Sequence, residues 1–318
     1  MSLFTLPKRF FPATAPISLL HQQHHLISGP RKTTERRRSS AIKMSAGTSS
    51  PSQSLSHSIT LPSQPAHPVP VVAAPGVSES AFRSAIDSSL FKQWLQNLQS
   101  ETGILSNGDL MLKQVLVQIS LQGVDMFGPR VGFLKFKADI LDKETGAMVP
   151  GIVFARGPAV AVLILLDSEG KTYAVLTEQV RVPTGKVVLE LPAGMLDDDK
   201  GDFVGTAVRE VEEETGIQLK LEDMVDLTAF LDPSTGHRVF PSPGGCDEEI
   251  SMFLYRGSVD KEVITQLQGK ETGLRDHGEL IKVRVVTYET LWRVTADAKA
   301  LMAIALYEMA KKHGLLPL

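Results

Sequence analysis

The fold of this 318-residue chain is decided by one stretch, which reads Gly194-Met-Leu-Asp-Asp-Asp-Lys-Gly-Asp-Phe-Val-Gly-Thr-Ala-Val-Arg209-Glu210-Val-Glu212-Glu213-Glu214-Thr-Gly216-Ile217. Each residue of an α-helix is rotated by about 100° from the one before it, so Glu210, Glu213 and Glu214 share one side of a helix. A glycine in the left-handed conformation commonly ends a helix, which predicts that this one stops at Gly216.

The acidic helix face has two interpretations. Three carboxylates on one side repel one another and call for a compensating cation. Hard divalent ions such as Mg²⁺ prefer oxygen ligands and keep water molecules that leave room for substrate phosphates, which would make the face a metal site. The alternative is a solvated acidic surface without a ligand. The residues on either side of the helix favour the metal site.

The helix and the residues that precede it carry a resemblance to a known family. Arg209-Glu-Val-Glu-Glu-Glu-Thr-Gly-Ile217 matches every fixed position in the second half of the Nudix box, and Leu191-Pro-Ala-Gly194 matches the segment that precedes it. The first half differs, because Gly194 is one residue farther from Arg209 than in the family and Gly201 stands where the family has its first glutamate. The resemblance therefore supports the metal helix and leaves the first acid unassigned.

Motifs outside the box indicate the branch of the family. Thr177-Glu-Gln-Val-Arg181 before it and Pro241-Ser-Pro-Gly-Gly-Cys-Asp-Glu-Glu249 after it resemble the ADP-ribose and ADP-sugar diphosphatases. So do Arg156-Gly-Pro-Ala-Val160 and Asp297-Ala-Lys299. The amino terminus has the composition of a plastid transit peptide, and with it the chain most resembles the plant chloroplastic ADP-sugar diphosphatases. The resemblance covers roughly residues 130–312.

The resemblance implies an α/β (α+β) protein, namely a Nudix α/β/α sandwich with a mixed sheet, preceded by a small amino-terminal β-rich region. Residues 156–318 would form the Nudix hydrolase domain. Residues 79–155 would form the amino-terminal helix and β-region, and members of this branch generally form dimers through such a region. A homodimer is therefore expected.

Hydrophobic spacing predicts the individual elements. Apolar residues recur at every fourth position from Phe82 to Leu98, which predicts one amphipathic helix. Further helices are expected over residues 204–215 and 296–312, the second with Thr295 as its N-cap. Strands are expected at residues 115–119, 131–141, 152–154, 159–166, 173–177, 187–191, 225–231, 250–255 and 281–286.

The amino-terminal end differs from the rest in charge. Residues 1–78 contain eight Lys/Arg and one acid, a net charge of +7, whereas residues 79–318 hold 25 Lys/Arg against 35 Asp/Glu, which is −10. Residues 1–62 are rich in Ser, Thr, Pro and His, a composition typical of an organelle transit peptide. The abundant serine favours a chloroplast, with a mitochondrion as the alternative; a merely disordered tail is a third interpretation. Residues 63–78 are Pro-rich and are interpreted as a linker.

Composition also excludes several classes of protein. The single cysteine, Cys246, excludes an internal disulfide framework and a Cys-based zinc site. The longest apolar run, at residues 159–166, is far shorter than the roughly 18 residues that span a bilayer, so no membrane contact is expected. The acidic body argues against nucleic-acid binding, which needs clustered Lys and Arg. A globular enzyme or binding protein remains.

The resemblance also assigns candidate metal ligands. Glu210 and Glu214 lie one helical turn apart and are the leading ligands, with Glu213 contributing to the metal or to catalysis. The backbone carbonyl of Ala193 is a further candidate ligand. The expected cofactor is Mg²⁺, with Mn²⁺ as an alternative, which neutralises the diphosphate and acidifies or orients a water molecule.

Candidate catalytic and substrate-binding residues lie outside the helix. Glu248 matches the family's loop glutamate and is the expected general base, with Glu249 as the alternative because the register of that loop is open. Arg181 and Arg156 are candidate phosphate contacts, since a guanidinium binds phosphate oxygens bidentately. For each arginine, an ordinary exposed surface position is the competing interpretation.

These expectations combine into one function with two alternatives. The expected activity is Mg²⁺-dependent hydrolysis of ADP-sugars, such as ADP-glucose and ADP-ribose, to AMP and a sugar 1-phosphate. The first alternative is another diphosphate substrate: UDP-glucose, NADH or coenzyme A. The second is a catalytically inactive Nudix-fold binding or regulatory protein, which the retained glutamates argue against.

Overall fold

The computed structural model describes residues 55–118, 125–127, 130–196, 202–273 and 280–317. Within these ranges the chain forms two β-sheets, and separate hydrophobic cores line them. Most of the expected transit peptide, residues 1–54, lies outside the described residues. No helix in the described ranges is long and apolar enough to cross a membrane.

The amino-terminal sheet has the order β1-β2-β3-β5-β4, with β6 and β7 also paired to β5. Its strands are β1 (Ser56–Ile59), β2 (Val69–Ala73), β3 (Leu110–Val117), β4 (Asp125–Phe127), β5 (Arg130–Asp142), β6 (Met148–Val149) and β7 (Ile152–Ala155). Helices α1 (Glu79–Asp87) and α2 (Ser89–Gln99) pack against β5. Phe91, Trp94 and Phe136 form an aromatic cluster there, with ring centroids 4.6–5.8 Å apart.

The apolar stripe from Phe82 to Leu98 belongs to two helices, so the prediction of a single helix is wrong. Ser88 leaves the helical conformation, with ψ of 150°. Its hydroxyl accepts a hydrogen bond from the N–H of Phe91 at 3.2 Å, which caps the new helix. The stripe is nevertheless buried on both sides of the break, because the four-residue spacing continues across it.

Residues 63–78 are not a linker, and the structure corrects that interpretation. Strand β2 lies within them and alternates buried Val69, Val71 and Ala73 with less buried neighbours. Ahead of it, the buried side chain of Gln64 donates to the carbonyl of Leu112 at 2.8 Å and accepts from its N–H at 3.1 Å. The proline-rich composition of these residues does not predict a strand. Strand β2 forms because it pairs with β3, which lies about 40 residues later in the chain.

The second sheet has the order β12-β13-β8-β9-β15-β14, with β10 paired to β9 and β11 to β8. Its strands are β8 (Ala159–Ser168), β9 (Lys171–Arg181), β10 (Lys186–Glu190), β11 (Ala193–Met195), β12 (Met224–Asp226), β13 (Ile250–Ser258), β14 (Glu271–Thr272) and β15 (Ile281–Thr287). The sheet is mixed, since β8 and β13 are parallel and the other pairs are antiparallel.

Helices cover both faces of this sheet, as the predicted sandwich requires. They are α3 (Phe203–Thr215), α4 (Lys261–Leu267), α5 (Tyr288–Val294) and α6 (Ala298–Lys312). Alternate residues of β8 face the two sides: Val160 and Val162 pack with α3, and Ala161 and Leu163 pack with α6. Burial on both faces explains why β8 is an unbroken apolar run. The α/β fold class is confirmed.

Strands β8 and β9 diverge at one end of the sheet, and this opening positions the site described below. Residues 164–168 of β8 pair with residues 171–175 of β9. At the other end, residues 159–161 of β8 pair with β11, and residues 177–181 of β9 pair with β10. Leu191 and Pro192 cross the gap, and the Pro192 carbonyl accepts a hydrogen bond from the N–H of Val162 at 2.9 Å. Consequently the segment that leads into the acidic helix is fixed at the centre of the sheet.

Two other local predictions need correction. In the expected strand at residues 225–231, only β12 is extended; a 3-10 turn follows, because Asp226 Oδ1 accepts from the N–H groups of Thr228 and Ala229. The last helix is capped by Asp297, which accepts from the N–H of Lys299 at 3.1 Å, and Thr295 is not its N-cap. Thr295 instead ends the preceding short helix.

Candidate active site

Glu214 lies at the centre of the opening between β8 and β9. Its Oε2 accepts a hydrogen bond from the N–H of Ala193 at 3.2 Å, and its Oε1 accepts from Nε2 of Gln179 at 3.0 Å. The side chain is buried at the end of α3, and Gly216 ends that helix with φ of 72°, as predicted. Burial, followed by the charge of Glu210, raises the pKa of Glu214 to about 8.

Glu210 is one turn before Glu214, and its carboxylate lies against Gly194 of β11. A β-carbon added to Gly194 would overlap that carboxylate, so only glycine allows the approach. The two acids therefore converge on the strand Ala193–Met195. The structure thus brings the predicted metal ligands Glu210 and Glu214 together at one strand.

The donor set fits a hard divalent cation. Two adjacent carboxylates, one of them buried, repel each other unless a cation lies between them, and carboxylate oxygens are the ligands that Mg²⁺ accepts. Among the residues that the structure describes, no group of three or more His, Cys, Asp and Glu is arranged to hold a metal. A two-carboxylate site is compatible with Mg²⁺, which usually keeps several water or phosphate ligands.

Glu213 is placed differently from its neighbours. Glu213 is exposed, whereas Glu214 is buried. The backbone carbonyl of Glu213 accepts a hydrogen bond from the N–H of Gly273 at 3.3 Å. The helix thus brings together two of the three predicted acids, and the third faces the surface.

The loop that carries Glu248 is held against the segment between β7 and β8. Asp247 Oδ1 accepts hydrogen bonds from the N–H of Arg156 at 2.7 Å and of Gly157 at 3.1 Å. Further along, the carbonyl of Glu249 accepts from the N–H of Ala159 at 2.8 Å. Burial raises the pKa of Asp247, and these two N–H groups oppose the shift. The loop is therefore anchored on both sides of Glu248.

This anchoring brings two predicted site residues into contact. Oε1 of Glu248 lies 3.3 Å from Nε of Arg156, and the Glu248 side chain is only 16% exposed. Glu249 directly precedes β13 and is half-buried; burial raises its pKa, and the charge of Arg238 opposes the shift. The structure pairs Glu248, not Glu249, with the predicted phosphate-binding arginine.

The register of the sheet places this loop beside the carboxylate pair. Gly194 of β11 is opposite Val160 of β8, which is opposite Ser251 of β13. Adjacent strands are about 4.8 Å apart, so β11 and β13 are separated here by roughly 10 Å. Glu248 lies three residues before Ser251, at the same end of the sheet as Glu210. The predicted catalytic and metal-binding residues thus share one end of the sheet.

Arg181, the other predicted phosphate contact, is joined to an acid that sequence reasoning missed. Its Nε and Nη2 donate to the two carboxylate oxygens of Glu190, at 2.6 and 3.0 Å. Arg181 is also close enough to Glu214 for its charge to lower the pKa of that carboxyl. The side chain remains 39% exposed. Arg181 therefore lies beside the carboxylate pair with its position fixed by Glu190.

The missed residues carry weak signals in the sequence. Glu190 directly precedes the Leu191–Gly194 segment, and Lys299 lies in the Asp297-Ala-Lys299 motif. Gln179 lies inside the Thr177–Arg181 motif. Each was part of a recognisable stretch, but only the folded chain shows that these polar side chains face one another.

The chain is similar to known proteins over the residues that form this site. Residues 155–305 match the model of the NUDIX domain. The chain is 68% identical over 318 residues to "Nudix hydrolase 14, chloroplastic" of Arabidopsis thaliana, covering 99% of this chain and 97% of the relative. It is 35% identical over 152 residues to "ADP-ribose pyrophosphatase" of Bacillus subtilis (strain 168), covering 46% of this chain and 69% of the relative. An "ADP-ribose pyrophosphatase" of Haemophilus influenzae is 33% identical over 175 residues, covering 52% and 71% respectively.

For the family assignment, the identity to the Arabidopsis thaliana relative is stronger evidence than the domain match alone. It covers the amino-terminal sheet as well as the sandwich. The acidic helix, the glycine that accommodates Glu210 and the segment crossing the divided sheet all lie within the matched residues. On the sequence, the fold and these relatives together, the chain belongs to the Nudix hydrolase family.

Proposed function

We propose that the chain hydrolyses the diphosphate bond of ADP-sugars with Mg²⁺ or Mn²⁺ as cofactor, giving AMP and glucose 1-phosphate from ADP-glucose, and AMP and ribose 5-phosphate from ADP-ribose. The observation that carries the proposal is the convergence of Glu210 and Glu214 at Gly194, with Arg181 beside them. Two relatives named ADP-ribose pyrophosphatase support the choice of an ADP-linked substrate.

The roles of the residues follow from their positions. Glu210 and Glu214 would hold the cation, and the Ala193 carbonyl would be a backbone ligand. Glu213, which is exposed, is a further candidate for the metal or for catalysis. A bound Mg²⁺ neutralises the diphosphate and lowers the pKa of water. In the hydrolysis, the oxygen of a water molecule attacks one phosphorus and the bridging P–O bond to that phosphorus breaks. AMP and the sugar phosphate each keep one phosphate.

The loop and the arginines supply the remaining functions. Glu248 accepts the proton of the attacking water, since its carboxylate is fixed at this end of the sheet. Arg156 and Arg181 bind diphosphate oxygens, because each guanidinium keeps donors that its carboxylate partner does not use. Glu249 is the alternative base.

A panel of diphosphate substrates tests the proposed activity directly. Purified protein should be incubated with ADP-glucose, ADP-ribose, UDP-glucose, NADH and coenzyme A, with Mg²⁺ or with EDTA, and the products separated by chromatography. We expect AMP from the two ADP-sugars, dependence on the metal, and loss of activity in Glu214→Gln. Preferred cleavage of another substrate would replace the ADP-sugar assignment, and no turnover of any of them would favour an inactive binding protein.

We also propose import into the chloroplast. The relative of Arabidopsis thaliana that matches almost the whole chain is named chloroplastic, and residues 1–62 have the composition of a transit peptide. Because β1 begins at Ser56 and pairs with β2, the removed segment would end before Ser56. A fluorescent reporter fused to residues 1–55 should enter chloroplasts; a mitochondrial or diffuse signal would contradict the proposal.

The assembly we propose is a homodimer formed through the amino-terminal region. In support, β6 and β7 expose apolar side chains at Met148, Ile152 and Phe154, of which Ile152 is 66% exposed. Contiguous exposed apolar residues commonly mark an interface. Light scattering of the purified protein should give twice the mass of the chain, and a monomeric mass would contradict the proposal.

A further inference from the structure

A network of four charged side chains, two of them buried, lies beside the proposed site. Glu190 is 4% exposed and accepts hydrogen bonds from Arg181 and from Nζ of Lys299, the latter at 2.9 Å. Lys299 Nζ also donates to Oδ1 of Asp297 at 3.0 Å. The network joins the end of β9, the end of β10 and the start of α6.

Burying these charges is costly, so each depends on its partners. Burial opposes the charge on Lys299, but Asp297 and Glu190 outweigh it and raise the pKa of that amine. Asp297 Oδ2 in turn accepts from the N–H of Leu191 at 3.2 Å. Lys299 is thus linked to the segment that crosses the opening in the sheet, although it touches none of the proposed catalytic residues.

Arg181 is the most exposed member of the network. Two of its nitrogens are used by Glu190, and Nη1 makes no hydrogen bond with a residue in the described ranges. The partly exposed guanidinium can therefore offer Nη1 to a ligand while Nε and Nη2 hold its orientation. Its position depends on where Glu190 lies.

Lys299 also affects the charge that a ligand meets. With Lys299 and Arg181 positive and Glu190 and Asp297 negative, the network is formally neutral. Removing the Lys299 charge leaves the network at −1, close to the carboxylates of Glu214 and Glu210. A diphosphate would then approach a site with an excess of negative charge.

We infer that Lys299 is a positioning residue for substrate binding, which shares the Glu190 carboxylate with Arg181 and thereby keeps the Arg181 guanidinium oriented and available for a diphosphate oxygen. The inference rests on the proposed function, because it assumes that Arg181 binds the diphosphate. The competing explanation is that Lys299 only fastens α6 to the sheet. That explanation predicts a loss of stability without a specific loss of substrate binding.

The test compares Lys299→Met and Lys299→Arg with wild type, using ADP-ribose and saturating Mg²⁺. We expect Lys299→Met to raise KM roughly tenfold and to leave kcat within about twofold, the pattern of lost ground-state binding. Lys299→Arg, which retains charge and donors, should restore KM to within about threefold of wild type. Thermal unfolding of each variant shows whether the assayed protein is folded.

Arg284→Met is a matched control. Arg284 of β15 forms a bidentate ion pair with Glu178 of the neighbouring strand β9, at 2.9 and 3.2 Å, and belongs neither to the network nor to the proposed site. Glu178 alternates with Gln179 along β9 and so faces the other side of the sheet from the carboxylate pair. This control should retain the wild-type KM.

A double-mutant cycle tests whether Lys299 acts through Arg181. In an Arg181→Met background, Lys299→Met should cause no further rise in KM. If Lys299→Met does not fold, Glu190→Gln, which removes the shared carboxylate charge at constant shape, should raise KM in its place. An unchanged KM in active Lys299→Met, a fall confined to kcat, or full additivity with Arg181→Met would overturn the inference and leave the proposed function standing. A wild-type protein that hydrolyses no diphosphate would overturn both.

Discussion

The carboxylate of Glu210 lies against the α-carbon of Gly194, in space that a methyl group on that carbon would occupy. Glu210 belongs to α3 and Gly194 to β11, so this contact sets how closely the acidic helix approaches the strand. It also places Glu210 beside Glu214, whose carboxylate accepts from the neighbouring Ala193 N–H. The proposed metal site depends on the absence of one side chain.

Gly194→Ala should therefore weaken metal activation. The new methyl group displaces the flexible end of Glu210 without disturbing the backbone, so the protein should fold. We expect the Mg²⁺ concentration for half-maximal activity to rise by about tenfold or more, as when groups that orient metal ligands are altered. An activity titration with Mg²⁺ measures this change. An unchanged titration with an unchanged melting temperature would show that Glu210 does not bind the metal from this position.

Glu214→Gln should raise the stability of the metal-free protein and lower its Mg²⁺-dependent activity. In EDTA the buried carboxylate faces Glu210 without a bound metal ion. Because its pKa is raised from 4.5 to about 8, native stability falls as the pH rises between these two values and the loss is complete above the higher one. Urea unfolding at pH 9 should show Glu214→Gln more stable than wild type by about 1–3 kcal/mol, with a smaller difference at pH 6. Mg²⁺-dependent activity should fall by about 10²-fold.

Glu213→Gln is the matched change one residue away. Because Glu213 is exposed, its stability in EDTA should remain within about 0.5 kcal/mol of wild type at both pH values. Equal stabilisation by the two substitutions would contradict the role assigned to burial. A lower stability of Glu214→Gln than of wild type at pH 9 would do the same.

Glu248→Gln should lower kcat by about 10²–10⁴-fold, since the amide cannot accept a proton from water. KM should change little, because the amide oxygen can still face Arg156. Steady-state kinetics with ADP-ribose provides the measurement. The same measurement on Glu249→Gln decides the register: a large kcat effect confined to Glu249→Gln would move the base to Glu249.

Gln64→Leu tests the correction made to the amino-terminal segment. The substitution removes both hydrogen bonds to Leu112 and leaves the buried N–H and carbonyl of that residue unpaired. Urea unfolding should show a loss of about 1–3 kcal/mol. The same substitution at exposed Gln96 of α2 should cost less than about 0.5 kcal/mol. Equal effects would mean that residues 63–78 contribute as little as a linker.

The elements that sequence reasoning located well are those whose signal is local. The helix ending at Gly216 was predicted within one residue, because its periodicity and its terminal glycine lie within the same few turns. Strand β8 was recognised from its apolar run alone. The errors have local causes of a different kind: Ser88 and Asp226 offer side-chain oxygens to nearby N–H groups and so interrupt an otherwise regular pattern.

The candidate site was predictable only in part for the same reason. The spacing of Glu210 and Glu214 on one helix places them together whatever the rest of the chain does. The partnership of Arg181 with Glu190 joins two strands of a hairpin, and Lys299 reaches Glu190 across 109 residues. Such pairs have no fixed spacing in the sequence, so no periodicity predicts them.

The sequence by itself determined the family, the acidic helix and two acids that share one of its turns, since helical geometry and a contiguous motif suffice for these. The tertiary structure alone decided that Glu214 is buried while Glu213 is exposed, that Gly194 makes room for Glu210, and that Lys299 and Arg181 both donate to Glu190. The physical reason is that burial and charge pairing depend on which distant segments cover a side chain. Those segments are brought together by the divided sheet.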